Sequence, residues 1–360
     1  MNEILCLRCF ARFDGREALY RCDESTVHPS PIEFGWKPKL GEHRPPRAVA
    51  CPEDLSLTSL LICPDCKEPL PHYIGQAPQP ILAIIGPQGS GKTVYLWSLL
   101  RRLRVDLARD EDPFGVAMFE DQPSARFYQD LTRTILERGA MPAPTQVARQ
   151  RGGAFPSVVV RLIQRSERVV RTLAFFDHAG ELIYTSEDVE YLRYLANASA
   201  ILFLADSACA ADADQRGLSA MRLAAHSLSN VARLIRRQWR WPEEKPLPHK
   251  AAVVLNKADE TILTRPDFYP TFGAEDRDPS FWRRWGSAER AVVDEASANC
   301  EEEARRLGLD NLINIAHHNF DNTRVFAVSS LGYNPLKQPG RLPTPRPVGV
   351  ENPLFWLLSK

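Results

Sequence analysis

The most constraining feature of the chain is an eight-residue loop, GPQGSGKT, that covers residues 86–93. It fits the pattern G-x-x-x-x-G-K-[ST] and directly follows an apolar run at residues 81–85. In such a loop the glycines let backbone N–H groups turn toward a polyphosphate, the lysine reaches the β- and γ-phosphates, and the next hydroxyl ligates Mg²⁺. Because glycine makes up only about 7% of an average protein, an ordinary loop seldom matches this pattern by chance. The predicted phosphate-binding residues are Gly86, Gly89, Ser90, Gly91, Lys92 and Thr93, with Lys92 as a catalytic group and Thr93 as a Mg²⁺ ligand.

A second polar segment indicates which base the phosphate loop serves. Asn256-Lys257-Ala258-Asp259 follows the apolar residues 251–255, so that N-K-x-D stands at the carboxyl end of a predicted strand, where open α/β sheets bind ligands. The carboxylate of Asp259 can accept hydrogen bonds from both the N1–H and the exocyclic amine of guanine, whereas adenine would leave it unpaired. Alone this pattern is weak, since polar strand ends are common turns. Behind a phosphate loop it predicts guanine recognition by Asn256, Lys257 and Asp259.

A third motif lies between these two, where the apolar residues 173–176 lead into D-x-x-G at Asp177 and Gly180. Asp177 is placed to hold Mg²⁺, and the N–H of Gly180 to sense a γ-phosphate. The order of phosphate loop, D-x-x-G and N-K-x-D resembles the Ras-like, translation-factor-related (TRAFAC) class of P-loop GTPases over residues 81 to about 334. The resemblance implies an α/β fold with a doubly wound, mostly parallel sheet, and GTP or GDP with Mg²⁺ as cofactors.

The resemblance also implies a final guanine contact and a switch threonine. Residues 325–331 look like the last guanine-contacting strand and loop, with a backbone group of Ser329 or Ser330 over the guanine oxygen, although Leu331 stands where many relatives carry lysine. The best candidate for the threonine that closes over Mg²⁺ is Thr145, and an ordinary threonine in a Pro-rich loop is an equally good interpretation. The long segment before Thr145 leaves room for an added element.

Two residues depart from the pattern of hydrolytic relatives. Glu181 follows D-x-x-G where many of them carry the glutamine that orients the attacking water, and Gln88 fills a loop position that is glycine in Ras-like proteins. A carboxylate is a poor substitute for an amide beside a γ-phosphate, and the bulk of Gln88 could obstruct an arginine that a partner supplies. The sequence therefore predicts slow or partner-assisted GTP hydrolysis. A nucleotide-binding scaffold that does not hydrolyse GTP is the alternative.

Three features are similar to the bacterial double-GTPase proteins: the sequence D-H-A-G-E, the long segment before the switch, and the carboxyl-terminal residues 345–358. Members of that group are inferred to act in multi-protein signalling or conflict systems. The resemblance implies protein partners, which we expect to be recognised by the amino-terminal residues or by the Pro-rich carboxyl-terminal segment. For that segment, a wrap over the chain's own domain is the alternative.

Six of the eight cysteines fall before residue 67. Two C-x-x-C pairs, Cys6 with Cys9 and Cys63 with Cys66, have the spacing of zinc knuckles and together predict one tetrahedral Zn²⁺ site. A second Zn²⁺ site is possible, with ligands drawn from Cys22, Cys51, His28, His43 and His72. Disulfides are the competing interpretation. Because the first 15 residues contain no apolar core of a secretory signal, we expect a reducing compartment and reduced thiols.

Composition limits the remaining functions. The 360 residues carry 45 basic and 45 acidic side chains, which gives no electrostatic argument for general nucleic-acid binding. No apolar run in the sequence approaches the roughly 20 residues that span a bilayer, so we expect a cytoplasmic protein. We predict a zinc-binding module at residues 1–73, a linker at 74–80 and a P-loop domain at 81–360. Helices are predicted at residues 124–138, 214–239 and 280–307.

Overall fold

The computed structural model describes residues 3–23, 29–39, 41–42, 44–71, 74, 80–106, 114–143, 157–164, 169–177, 193–211, 215–264, 287–338 and 340–358. These residues form one seven-stranded sheet flanked by helices, preceded by several small antiparallel sheets. We call the described residues between 3 and 74 the amino-terminal module, and those from 80 onward the sheet domain.

The amino-terminal module is built from short antiparallel strands. They are β1 (Glu3–Leu5), β2 (Arg12–Asp14), β3 (Leu19–Cys22), β4 (Ile32–Gly35), β5 (Val49–Ala50), β6 (Leu57–Thr58) and β7 (Leu61–Ile62). β1 pairs with β2, β5 pairs with β6, and β3 pairs with both β4 and β7. Ile4, Phe13, Tyr20 and Ile74 belong to a small core that also includes buried cysteines. A core of this size supplies little hydrophobic stabilisation, so the module needs a further source of stability.

The seven-stranded sheet organises the rest of the chain. Its strands are β8 (Ile81–Ile85), β9 (Phe114–Phe119), β10 (Ser157–Gln164), β11 (Val169–Asp177), β12 (Ala200–Asp206), β13 (Leu247–Asn256) and β14 (Phe320–Ala327). Their spatial order is β14-β13-β12-β8-β11-β10-β9. The first five strands in this order run parallel to one another. At the edge next to β11, β10 pairs antiparallel with β11 and β9 pairs antiparallel with β10. β8 and β12 are continuous buried apolar runs, as expected of parallel strands that helices cover on both faces. The predicted doubly wound, mostly parallel sheet is confirmed.

Helices pack on both faces of this sheet. Those described are α1 (Lys92–Arg101), α2 (Gln122–Thr132), α3 (Arg193–Asn197), α4 (Ser207–Ala211), α5 (Gln215–Trp239), α6 (Ser287–Arg306), α7 (Asp310–Asn319) and α8 (Asn352–Leu358). α1, α2 and α8 share one apolar cluster, and α3, α5 and α7 share the cluster on the opposite face. The predicted helix at 214–239 is confirmed as α5. Of the helix predicted at 280–307, α6 accounts for Ser287–Arg306, and residues 280–286 lie outside the described ranges. None of the described helices combines the length and apolar composition needed to cross a bilayer.

The segment between α1 and β10 differs from its prediction as a single helix at 124–138. α2 begins at Gln122, because the Asp121 carboxylate caps the helix by accepting a hydrogen bond from the N–H of Ser124 at 2.7 Å. After Thr132 the chain continues in a π-helical turn that covers most of the remaining predicted span. The segment also contains β9, which the sequence analysis missed. The added element is therefore a strand and a helix together.

The amino-terminal module packs directly on the sheet domain. Leu7 and Phe10 lie in the same apolar cluster as Ile81 of β8. The guanidinium of Arg8 forms an ion pair with the carboxylate of Asp121 at 3.2 Å, with 16% and 22% of the two side chains exposed. Residues next to the first cysteine pair thus belong to the core of the sheet domain. We infer that the two parts stabilise each other.

The carboxyl-terminal residues wrap back over the sheet domain. The backbone of Val348 pairs with that of Ser329, which follows β14. The guanidinium of Arg341 donates to the carbonyl of Glu137 at 2.7 Å, just after α2. All of α8 up to Leu357 is buried. Of the two interpretations of this Pro-rich segment, the wrap over the chain's own domain is therefore observed.

Candidate functional site

The phosphate loop lies between β8 and α1 in a conformation that requires glycine at two positions. Gly86 has a φ of 154°, and a Cβ added there would lie 2.2 Å from the carbonyl oxygen of Leu204. Gly91 has a φ of 84°, and its Cβ would lie 2.6 Å from Nδ2 of Asn256. Contacts this short exclude any side chain. The loop is therefore held against the ends of β12 and β13.

The ammonium group of Lys92 is directed back over the loop. Its Nζ donates hydrogen bonds to the carbonyl oxygens of Gly86 and Pro87, each at 2.9 Å, and only 8% of the residue is exposed. Ser90 has a buried hydroxyl with no hydrogen-bond partner among the described residues. A buried cation, an unpaired hydroxyl and the amino end of α1 together form an environment suited to an anion. Gln88 is exposed at the tip of the loop.

Asn256 connects the phosphate loop to the loop that follows β14. Its Nδ2 donates to the carbonyl oxygen of Ser90 at 2.9 Å, and its Oδ1 accepts from the hydroxyl of Ser330 at 2.8 Å. The residue is 1% exposed. Both ends of the amide are thus paired, which fixes its orientation. Ser98 of α1 reinforces the link by donating to the carbonyl oxygen of Ser330.

Lys257 turns the chain out of β13. It adopts a left-handed conformation with a φ of 61°, which is uncommon for a non-glycine residue. Its ammonium group pairs with the carboxylate of Asp206 at the end of β12. The other oxygen of that carboxylate accepts from the backbone N–H groups of Ala208 and Cys209, at 3.0 and 3.2 Å. Asp206 is therefore a positioning group for Lys257 that the motif does not reveal.

Asp259 faces the loop after β14. Its Oδ1 accepts a hydrogen bond from the hydroxyl of Ser329 at 2.5 Å, and that hydroxyl accepts in turn from the N–H of Gly332 at 2.8 Å. The N–H of Ser329 itself donates to the carbonyl oxygen of Val348 at 3.0 Å. Of the two backbone groups predicted to contact the guanine oxygen, that of Ser329 is thus already engaged. The predicted contact with the guanine oxygen is therefore assigned to the backbone of Ser330.

These residues surround an open cleft of about 430 Å³. Gly91, Asn256, Lys257, Asp259, Ser329 and Ser330, all predicted from the sequence to bind nucleotide, line it. Residues that the sequence analysis did not assign to the site also line it: Val94, Met141, Glu260, Leu331, Tyr333, Asn334 and Pro335. Glu260 accepts from the side-chain amide of Asn334 at 2.6 Å. The loop that follows β14 therefore contributes most of residues 329–335 to the lining of the cleft.

Asp177 ends β11 beside the phosphate loop. In the parallel pairing of β11 with β8 it stands opposite Ile84, two residues before the loop begins. The structure therefore brings the backbone of Asp177 to the edge of the sheet that carries the cleft; its side chain lies outside the described atoms. Gly180, Glu181 and Thr145 lie outside the described residues.

The four cysteines of the two C-x-x-C pairs converge in the amino-terminal module. The sulfur atoms of Cys6, Cys9, Cys63 and Cys66 all lie within 4.8 Å of one another. Cys6 is 3.8 Å from Cys66, and Cys9 is 3.8 Å from Cys63. Burial raises the pKa of the Cys66 thiol to about 12. Four converging sulfurs are the donor set of a structural zinc site.

A second group of candidate metal ligands contains Cys22 and Cys51, as the sequence analysis proposed, together with Asp54. Asp54 was not predicted as a ligand. The histidines considered from the sequence, His28, His43 and His72, lie outside the described residues.

The fold and the cleft define the protein class. A phosphate loop, a D-x-x-G aspartate and N-K-x-D at one edge of a mostly parallel sheet constitute a P-loop GTPase. The chain belongs to the Double-GTPase 2 family, whose sequence profile matches residues 80–323. The predicted GTPase class and the suggested double-GTPase family are both confirmed.

One curated relative comes from Mycolicibacterium smegmatis. It is SaeC, provisionally described as an ESX-1 scaffolding and assembly protein, and it is 25% identical over 231 residues. The match covers 56% of this chain and 56% of that protein, so the chain spans about half the length of the relative.

Two solved structures show a distant similarity. The small GTPase Arl6 (BBS3) of Trypanosoma brucei, with bound nucleotide analogue GppNp, is 14% identical, with 78% of this chain and 95% of that chain covered at a TM-score of 0.32. The signal recognition particle receptor SRβ–GTP/SRX complex of Chaetomium thermophilum is 16% identical, with 71% of this chain and 95% of that chain covered at a TM-score of 0.31.

Proposed function

We propose that the protein is a guanine-nucleotide-dependent switch in a bacterial multi-protein system, with slow or partner-assisted GTP hydrolysis. The observation that carries this proposal is the arrangement of Asp259, Asn256 and Gly91 around one cleft. Asp259 and Gly91 both line this cleft, and Gly91 belongs to the loop where phosphates would lie. Asn256 contacts the loop directly. A nucleotide seated on the loop would therefore bring its base to the carboxylate.

Guanine is favoured over adenine by the chemistry of Asp259. Ser329 holds one carboxylate oxygen in place. Each carboxylate oxygen can accept more than one hydrogen bond, so the two oxygens together can still accept the paired donors of guanine. Adenine lacks that pair of donors, so the carboxylate would lose its contact with water without gaining a partner. The engaged Oδ1 also limits rotation of the carboxylate. This preorganisation supports recognition of one base rather than general nucleotide binding.

Mg²⁺ fits the same site. Thr93 follows Lys92 in the first turn of α1, and Asp177 ends the neighbouring strand β11. The threonine hydroxyl and the aspartate are the ligand types that hold Mg²⁺ beside the β- and γ-phosphates in P-loop proteins. Bound Mg²⁺ would offset negative charge on the phosphates. Thr145 remains the proposed switch threonine.

Hydrolysis is proposed to be slow because of Gln88 and Glu181. The side chain of Gln88 is exposed at the loop tip, where an arginine from a partner would approach. Glu181 takes the place of a water-orienting amide and adds negative charge beside an anionic transition state. A partner that supplies a cation would offset the negative charge of Glu181, and that cation would have to reach the phosphates past Gln88. A base role for Glu181 is the competing mechanism, and it requires a raised pKa.

The amino-terminal module is proposed to hold Zn²⁺ through Cys6, Cys9, Cys63 and Cys66. One face of the module is occupied by the sheet domain through Leu7 and Phe10. On the hairpin of β5 and β6, Leu55 and Leu57 are 76% and 78% exposed. The module's partner surface would therefore lie away from the first cysteine pair.

A nucleotide-binding scaffold without turnover is the second candidate. The similarity to SaeC, a protein provisionally assigned a scaffolding role, favours it. Single-turnover hydrolysis of radiolabelled GTP, with and without proteins that co-purify with the chain, separates the two functions. Release of phosphate that depends on Lys92 supports the switch. Stable GTP over many hours in both conditions supports the scaffold.

A further inference from the structure

Three hairpins of the amino-terminal module share one loop conformation. They begin at Cys6, Cys51 and Cys63. In each, the N–H of the fifth loop residue donates to the carbonyl oxygen of the first cysteine, at 3.0, 3.0 and 3.1 Å respectively. In each, the N–H of that cysteine donates to the carbonyl oxygen of the sixth residue, at 2.9, 2.8 and 3.0 Å. The loop at Cys51 is therefore a third copy of the knuckle that brings two sulfurs together at the other two positions.

The fifth residue of each loop adopts the same left-handed conformation. Phe10, Leu55 and Lys67 have φ values of 61°, 61° and 60°. This conformation is unfavourable for a residue with a Cβ. Leu55 is 76% exposed, so that packing of its side chain in a core does not explain the conformation. Residues held in such conformations cluster at active sites and ligand clamps.

The fourth residue of the knuckle is the second ligand position. Cys9 and Cys66 occupy it in the first and third loops, and Asp54 occupies it in the second. An oxygen of Asp54 and the sulfurs of Cys22 and Cys51 all lie within 4.8 Å of one another. Cys51 is fully buried and Cys22 is 6% exposed. A carboxylate oxygen therefore stands where the other two knuckles place a thiolate.

Ser56 holds this group together. Its N–H and hydroxyl donate to Oδ1 of Asp54 at 2.9 and 2.6 Å, and its hydroxyl lies 3.4 Å from the sulfur of Cys22. Hydrogen bonds of this kind, made to the side chains that bind a metal, fix the orientation of those side chains. The hydrogen bonds between Asp54 and Ser56 would explain the turn, but they do not explain why the sulfurs of Cys22 and Cys51 are buried next to it.

We propose that Cys22, Cys51 and Asp54 bind a second Zn²⁺, separate from the ion proposed for the four-cysteine site. Two thiolates and a carboxylate are established zinc ligands, and the described residues supply no fourth His, Cys, Asp or Glu to this group. The site therefore has fewer thiolates than the four-cysteine site. Since softer sulfur ligands bind Zn²⁺ more strongly than oxygen in such sites, the second ion should be removed first by a chelator.

The test is the zinc content of the 360-residue chain, measured by inductively coupled plasma mass spectrometry after gel filtration. The wild-type protein should carry two Zn²⁺ per chain, and both Asp54→Ala and Cys51→Ser should carry one. The matched control is Asp65→Ala, which removes an exposed carboxylate from the third knuckle and should retain two. Cys63→Ser should lose only the ion of the four-cysteine site and should therefore also carry one Zn²⁺. A wild-type protein with one ion that Cys63→Ser removes and Asp54→Ala does not would overturn the proposal.

A second variant keeps the test informative if Asp54→Ala destabilises the module. Asp54→Cys completes the C-x-x-C pattern of the other two knuckles. We expect it to retain two Zn²⁺ and to lose the second ion to a chelator at least about tenfold more slowly than the wild-type protein, because it replaces an oxygen ligand by a thiolate. If Asp54→Cys instead releases its zinc to the chelator at the same rate as the wild-type protein, residue 54 does not contact a metal.

Discussion

The side-chain amide nitrogen of Asn256 lies 2.6 Å from the point that a Cβ on Gly91 would occupy. The same nitrogen donates a hydrogen bond to the carbonyl oxygen of Ser90 at 2.9 Å. The base-recognition segment and the phosphate loop are thus in direct contact, although 166 residues separate the two bonded groups in the chain. A change at the loop should therefore disturb both ends of the nucleotide site.

Gly91→Ala should weaken GDP binding by at least about tenfold, because the added methyl group displaces Asn256 and a left-handed conformation costs about 1–2 kcal/mol in any residue with a Cβ. Titration with a fluorescent GDP analogue measures the effect. Gly340→Ala is the matched control, since Gly340 has a φ of 83° with nothing within 4 Å of an added Cβ. Equal affinities for the two variants would contradict the contact between Gly91 and Asn256.

Loss of the four-cysteine site should destabilise the whole chain rather than the module alone. Cys63→Ser removes one of four converging sulfurs, and a structural Zn²⁺ commonly supplies about 10–16 kcal/mol of apparent binding energy. Because Leu7 and Phe10 of the module pack in the core of the sheet domain, the midpoint of thermal unfolding of that domain should fall as well. Differential scanning calorimetry of the variant and of chelator-treated wild type measures this. Cys209→Ser is the control; an unchanged domain transition in Cys63→Ser would show that the two parts are energetically independent.

The ion pair of Arg8 and Asp121 should couple the module to α2. Arg8→Ala should lower the free energy of unfolding by about 1 kcal/mol, as expected of a partly buried pair. Asp121→Ala should cost about 1 kcal/mol more, because it also removes the cap of α2. Urea denaturation of both single variants and the double variant gives the coupling energy. A coupling of zero would mean that the pair contributes nothing to docking.

The phosphate loop and N-K-x-D were predictable because each motif lies within a few consecutive residues and follows an apolar strand. The strand β9 was not, since it is a single short run and its partner β10 lies far along the chain. Asp54 was missed for a different reason. A zinc knuckle is recognised in a sequence by its pair of cysteines, and residues 51–54 contain only one. Their resemblance to residues 63–66 becomes visible only in the hydrogen bonds that the two loops share. The ion pair of Lys257 with Asp206 joins residues that are far apart in the chain, and no local sequence pattern encodes it.

Glu181 should limit the rate of hydrolysis by the isolated protein. The rate should be near or below the ~10⁻⁴–10⁻³ s⁻¹ of an unassisted Ras-like domain, and Glu181→Gln should hydrolyse GTP faster because an amide can orient the attacking water. Single-turnover assays on wild type, Glu181→Gln and Glu181→Ala measure both effects. If wild type turns over faster than about 1 s⁻¹ and Glu181→Ala abolishes the activity, Glu181 is a catalytic base and the slow-switch proposal is wrong.

Asp259 should determine base specificity. Asp259→Asn should weaken guanine nucleotides and favour xanthine nucleotides, since xanthine offers an acceptor where guanine has an amine. The affinities of each variant for GDP and for xanthosine diphosphate (XDP) are measured by competition with the fluorescent GDP analogue. Asp130→Asn makes the same change at an exposed position on α2 and is the control, which should keep the preference for guanine. The same order of affinities in Asp259→Asn and wild type would remove Asp259 from base recognition.

The most direct test of guanine-nucleotide binding is isothermal titration of the nucleotide-free wild-type protein with GDP and with ADP in Mg²⁺-containing buffer. A mispaired buried carboxylate costs about 3 kcal/mol, so GDP should bind at least about a hundredfold more tightly than ADP. Equal affinity for the two nucleotides would contradict the guanine site.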